Sequence, residues 1–261
     1  MPLPKSDRVL YEVNPLDPVI CQLRFPTILR ITNEDPVAFQ EAVRKKYPKY
    51  ERVSSPEFQF PPELPKEVAN LLFPEQGPRP HRFSESNRRR SFVLSQDSIS
   101  YTDSDYRSWE EFSGDLFPAI ETLNEVYEIG YYSRVGLRYV NKISRSELGI
   151  TNHPWTELLN PIILGAMGDK TFGEEVTASA GQFEALIDDL EGATVKVKYG
   201  LIPPNRDEIT DSVFKIDIDF GVTGEIEHAQ VRTILGKFNE MDRGLFQWSI
   251  KKRLHQAMGP R

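Results

Sequence analysis

The chain has 261 residues, 39% of them apolar and 27% charged, with a net charge of −7. That composition buries enough surface to offset the entropy of ordering, which excludes a disordered tract, and the length suits one large domain or two intimately packed halves. The negative balance excludes a molecule whose whole surface is a footprint for nucleic acid or anionic membrane, so any anion site has to be local.

The single cysteine, Cys21, has no internal disulfide partner and lies in the apolar run Val19, Ile20, Cys21, Leu23, which predicts a buried core thiol. Met1 to Leu10 lacks the apolar centre of a signal peptide. No stretch reaches the ~20 apolar residues that span a bilayer, so the expected location is cytoplasmic, with no membrane partner.

In chain order, Val19 to Phe25 is mostly apolar and bracketed by Pro15, Pro18 and Pro26, which predicts a first strand. Asn33 or Asp35 then offers a helix cap, Pro36 suits a first turn, and Phe39, Ala42, Val43 and Tyr47 follow at helical spacing before Pro48. From Ser54 to Pro80 the density of proline predicts mainly connector, with room for a short amphipathic helix over Pro65 to Leu72. Arg90 to Gln96 and Ile99 to Asp103 predict a hairpin turning at Asp97 and Ser98. Ser108 with Glu111 has the spacing of a capping box. Phe112, Leu116, Ile120, Leu123 and Tyr127 then form the stripe of a helix that ends near Gly130, with Pro118 as a kink.

Tyr131 to Ile143 predicts a long strand with Val135, Leu137 and Tyr139 on one side and Arg134, Arg138 and Lys142 on the other. A short helix over Trp155 to Leu164 leads to strand-forming stretches at Glu175 to Leu186, Ala193 to Leu201 and Ser212 to Gly221. In the last two, Val195, Val197 and Tyr199 oppose Lys196 and Lys198, while Phe214, Ile216, Ile218 and Phe220 oppose Lys215, Asp217 and Asp219. Ile226 to Met258 reads as helical, broken or bent around Met241 to Gly244. The expected class is α+β, mainly antiparallel with helices packed on one face. Residues 1–150 and 151–261 form an N-terminal and a C-terminal half within one globular unit, and the order of elements hints that the halves are related.

Two groups of residues carry candidate chemistry. Arg79 to Arg90 contains six basic side chains against one acid, Glu85, and guanidinium forks match phosphate and carboxylate geometry. Arg88, Arg89 and Arg90 are therefore candidate anion ligands, set against the plainer reading of a solvated loop. The second group is Arg134, Arg138, Lys196 and Lys198 as anion ligands, with Asp217 and Asp219 as a carboxylate pair for a divalent metal, provided their strands converge on a groove. Its plainer reading is an outward ladder of cross-strand pairs, each contributing about 0.2–1 kcal/mol. This pattern is superficially similar to triphosphate tunnel enzymes, although the acidic alternating strand with which those open has no counterpart here. The chain contains no HExxH, CxxC, glycine-rich phosphate loop or G-x-S-x-G elbow, so no cofactor is expected and the sequence decides neither for nor against an enzyme.

Asn14-Pro15-Leu16 leading into Val19 to Pro26, Gly136 to Ile143, and Phe246-Gln247-Trp248-Ser249-Ile250 together resemble a sporadically distributed bacterial family of uncharacterised, hypothetical proteins of about this length. The resemblance spans nearly the whole chain and implies a shared fold. Patchy distribution is typical of mobile, defence or toxin–antitoxin genes, and the family supplies no catalytic residues to carry over. The expected function is a non-enzymatic interaction or regulatory protein, working as a homodimer or with a protein partner. The alternative is binding or hydrolysis of a phosphorylated small molecule on the basic sheet face, and nucleic acid is the less favoured occupant.

Overall fold

Side chains that alternate between apolar and polar place a strand between a dry side and a wet one. In the computed structural model, which describes residues 3–53, 79–203 and 212–261, such segments build one nine-stranded antiparallel sheet. The strands are β1 (Leu16–Arg24), β2 (Lys49–Arg52), β3 (His81–Ser84), β4 (Arg90–Ser95), β5 (Ser98–Asp103), β6 (Tyr132–Ser144), β7 (Gly181–Leu186), β8 (Ala193–Ile202) and β9 (Val213–Ile226). The helices are α1 (Leu29–Asn33), α2 (Val37–Val43), α3 (Trp109–Tyr127), α4 (Trp155–Leu158), α5 (Pro161–Leu164), α6 (His228–Ser249) and α7 (Lys252–Ala257), so the fold is α+β. The helix expected over Pro65 to Leu72 lies outside the described residues.

The sheet order is β2-β3-β4-β5-β1-β6-β9-β8-β7. The chain thus runs twice through strand, short helices, meander and long helix, first from β1 to α3 and then from β6 to α6. The two opening strands pair at the centre, from Leu16 opposite Asn141 to Arg24 opposite Arg134. On the dry side Val19, Cys21 and Leu23 of β1 meet Val135, Leu137 and Tyr139 of β6 and Ile216, Ile218 and Phe220 of β9, all buried. Helix α3 adds Phe112, Leu116, Ile120 and Leu123, and α6 adds Val231, Leu235, Phe238 and Leu245. Each such side chain stabilises the fold by about 1.5–3 kcal/mol when fully buried. Cys21 is the expected core thiol: it is 1% exposed, and burial raises its proton affinity far above that of a reactive thiol.

The long helices begin where their caps direct. The Ser108 side chain accepts from the Glu111 backbone N–H, and Glu227 and Gln230 close a reciprocal capping box on α6. Pro118 sits inside α3 on the exposed side, as does Gly114, whose carbonyl loses its i+4 donor to the proline. Three expectations change. The break expected around Met241 to Gly244 falls later, at Ile250 and Lys251, and the helix is continuous from His228 to Ser249; Gly244 serves a close approach, since a Cβ there would lie 1.7 Å from the Pro4 carbonyl oxygen. Strand β2 follows Pro48, where no element was expected, and strand β3 lies in the stretch read as a loop, each only four residues long and held by pairing with its neighbour. Trp155 to Leu164 divides into α4 and α5, with Asn160 capping the second through Ile162 N–H. Among the described residues no helix is long and apolar enough to cross a membrane.

The N-terminal strap that crosses Gly244 is tied to the other chain end. Leu10 and Arg261 exchange backbone hydrogen bonds, and Glu12 and Val13 donate to Gly259 and Met258. A Gly244→Ala substitution must push this strap off α6, and urea unfolding is expected to show a loss of about 1–3 kcal/mol. An unchanged midpoint would contradict the close approach.

Candidate functional site

Strand alternation that buries the apolar residues turns a second set the other way. The long helices α3 and α6 pack on the dry side, and most residues of this second set are half-exposed or exposed along β1, β6, β8 and β9, with Val140 and Asp217 buried among them and Gly200 covered by Ser179. The register sets Ile20 beside Arg138, Arg138 beside Asp219, Asp219 beside Lys196 and Lys196 beside Glu184, a row of alternating charge across β6 to β7. In the next row Asp217 stands beside Lys198, and Lys198 beside Gln182. Arg134, Arg138, Lys196, Lys198, Asp217 and Asp219 therefore do share one face, as their strand patterns predict. On the other wing of the same face β4 and β5 carry no charge and are rich in hydroxyls, with Ser91, Ser95, Ser98, Ser100 and Thr102, and beyond them Arg82 of β3 pairs with Glu51 of β2 at 3.4 Å.

The central cations are fixed in place. Arg134 lies flat across the sheet: a Cβ on Gly136 would come within 2.2 Å of its guanidinium, and one on Gly221 within 3.1 Å. From that bed it donates to Gln22 Oε1 and Asp219 Oδ1, at 3.4 and 3.3 Å. Arg138 grips Asp217 through two hydrogen bonds of 2.7 Å, and Lys215 adds a third contact at 3.1 Å. Burial alone would raise the Asp217 carboxyl, but the hydrogen bonds and charges of Arg138 and Lys215 outweigh it and hold the group below the usual carboxylate range. A divalent ion at Asp217 and Asp219 would have to displace these guanidinium and ammonium partners. Lys196 pairs loosely with Glu184 at 3.5 Å, whereas Arg24 and Lys198 have no ion-pair partner among the described residues. A hollow of about 440 Å³ opens beside Gln182, Lys198, Lys215 and Asp217.

The arginines of the β3–β4 hairpin do not join this face's cation group. Arg88 and Arg89 sit in the turn and pair with Glu51 and Asp105. Arg90 points to the helix side, 5% exposed, with Glu111 at 2.8 Å and Asp103 at 3.1 Å; the angle at its Nε makes the latter an ion pair and not a hydrogen bond. Glu85 and Asp115 stand at 4.0 and 3.8 Å from the same guanidinium. Its guanidinium is thus committed to these carboxylates and to the Asp105 carbonyl, to which it donates at 3.3 Å. Strand β4 is also separated from β6 by β5 and β1, about 14 Å of sheet.

Sequence reasoning missed Gln22, Gly136 and Gly221, which carry no charge and bear on the face only through Arg134. A glycine on each of two adjacent strands is the signal that a side chain lies over them. Compared with protein-family models and with curated proteins, the chain matches none.

Two substitutions separate face from core. Arg90→Met strands the buried Asp103 and is expected to cost about 3–5 kcal/mol in urea unfolding, while Arg88→Ala and Arg89→Ala stay within about 0.5 kcal/mol. Equal small effects at all three would contradict the buried role of Arg90. Asp217→Asn is expected to lose about 1–3 kcal/mol at pH 7. Because the folded carboxyl is depressed, that deficit begins to close below about pH 4, as the wild-type group also takes up its proton. A deficit constant from pH 7 to pH 3 would show that charge at Asp217 is irrelevant.

Proposed function

We propose that this chain is a non-enzymatic interaction protein that holds an acidic protein partner against its uncovered sheet face. The chief support is the placement of Arg24, Lys196 and Lys198 beside the pinned Arg134 and Arg138, in a chain whose net charge is −7. A local excess of fixed cations steers an acidic surface into register, acting on association rate and partner choice. A protein suits this face better than nucleic acid. Asp217, Asp219 and Glu184 are interspersed among the cations and would repel a phosphate backbone, whereas a protein surface can answer both signs. The resemblance to a patchily distributed bacterial family fits a partner-dependent defence or regulatory role.

A second copy of the chain carries the same cations, which disfavours self-association face to face. The edge of β7, where Leu186 is 74% exposed, supports a different homodimer in which two β7 edges pair and continue the sheet.

Reversing charge at Arg24, Lys196 and Lys198 to Glu tests the main reading, since these side chains hold no buried partner. The expected result is an unchanged fold and a loss of affinity of about tenfold or more for acidic proteins bound by the wild type, whose own binding weakens with salt. Equal binding by both forms, or selective retention of DNA or RNA in place of protein, would overturn it.

A further inference from the structure

On the helix side, β6, α3, α6 and the N-terminal strap surround a cavity of about 300 Å³, with Tyr106, Tyr139, Asn239, Asp242, Arg243 and Phe246 in its wall. That volume is at the small end of the range of ligand sites. Most polar groups around it are already satisfied. Tyr139 donates to Asn239 Oδ1 at 3.0 Å, Arg8 pairs with Glu110, and Tyr11 shares a hydrogen bond of 2.9 Å with His255.

Two groups are not. Asp242 is 6% exposed and its Oδ1 has no hydrogen-bond partner; the adjacent Arg243 has a buried Nε that is equally unpartnered. Among the described residues, the two side chains form no ion pair with each other or with a neighbour. Leaving a buried carboxyl and a buried guanidinium nitrogen without partners costs stability, and packing alone gives no return for it. Burial favours the neutral form of the Asp242 carboxyl in spite of Arg243, so a cation brought against it is what would restore its charge. A carboxyl group and a guanidinium without ion-pair partners, both lining one cavity, match a molecule carrying both an ammonium and a carboxylate. The aromatic rings nearby add a surface that attracts an ammonium and receives an apolar side chain.

We propose that this cavity binds a small zwitterion, an α-amino acid, with its ammonium on Asp242, its carboxylate on Arg243 and its side chain against Tyr106 and Phe246. The site stands on the opposite layer from the basic sheet face, so it does not rest on the partner-docking reading. An amine without a carboxylate leaves Arg243 unanswered, and a carboxylic acid without an amine leaves Asp242 so.

Thermal unfolding of the full chain with each of the L-α-amino acids at millimolar concentration tests this. At least one is expected to raise the melting temperature by about 4 °C or more. Its amide and its deaminated acid should not, and the rise should vanish in Asp242→Asn and in Arg243→Gln. Asp242→Asn keeps the shape and removes a buried unpaired carboxyl, so it is expected to fold with equal or higher stability, and calorimetric titration of that variant decides the point by itself. No shift with any amino acid, an equal shift with the amide or the deaminated acid, or undiminished binding by Asp242→Asn would each overturn the proposal.

Discussion

Strands β1 and β6 pair antiparallel along Val19 to Arg24, and this ladder joins two successive runs of strand, helix and meander into one sheet. Its register is fixed by burial. A slip of β1 by one residue would carry Val19, Cys21 and Leu23 into water and drive Gln22 and Arg24 under the helices. The same ladder, with the β6–β9 ladder beside it, sets the position of the central charged groups on the wet side. Gln22 falls beside Gly136 and so within reach of Arg134, and β9, paired along the other edge of β6, brings Asp217 to Arg138.

The division into sides explains how an acidic protein carries a basic face. Carboxylates are plentiful on the helix side and its margins, where Asp103, Glu111, Asp115 and Glu85 surround Arg90. The uncovered side keeps Arg24 and Lys198 without ion-pair partners among the described residues, and holds Arg134 and Arg138 rigidly by a glycine bed and a two-pronged grip. Rigid cations lose less entropy on binding than free ones. Asp242 and Arg243 of α6, by contrast, line a cavity on the helix side, so the molecule offers a broad outer surface and a small concave one.

Where alternation is long the fold is legible in the sequence: Tyr132–Ser144, Ala193–Ile202 and the first part of Val213–Ile226 are strands with the sides assigned by their patterns, although β9 runs five residues past the expected end at Gly221, and Lys196 and Lys198 oppose Asp219 and Asp217 as a direct pairing requires. Strands β2 and β3 escaped notice because four residues such as Lys49–Arg52 hold too few apolar positions to show a period, and their pairing comes from neighbours distant in sequence. The run Arg88, Arg89, Arg90 looked like one basic patch, yet alternation sends Arg90 inward while the turn keeps the other two in water. Asp242 was hidden for a different reason. It occupies a position on the buried stripe of α6 between Phe238 and Leu245, and an acid among those residues is visible in sequence only once the stripe is known to be buried.

The claim on which the rest turns is that Cys21 and Gln22, adjacent in β1, look into opposite environments. Thiol labelling under native conditions measures this directly, using the wild type and a Cys21→Ala, Gln22→Cys double variant. The wild-type thiol is expected to react only as fast as the protein unfolds, and the thiol at position 22 to react at least about a hundredfold faster. Equal, slow reaction at both positions would mean that the charged side of the sheet is covered, and the account of an open, partner-binding face would fall with it.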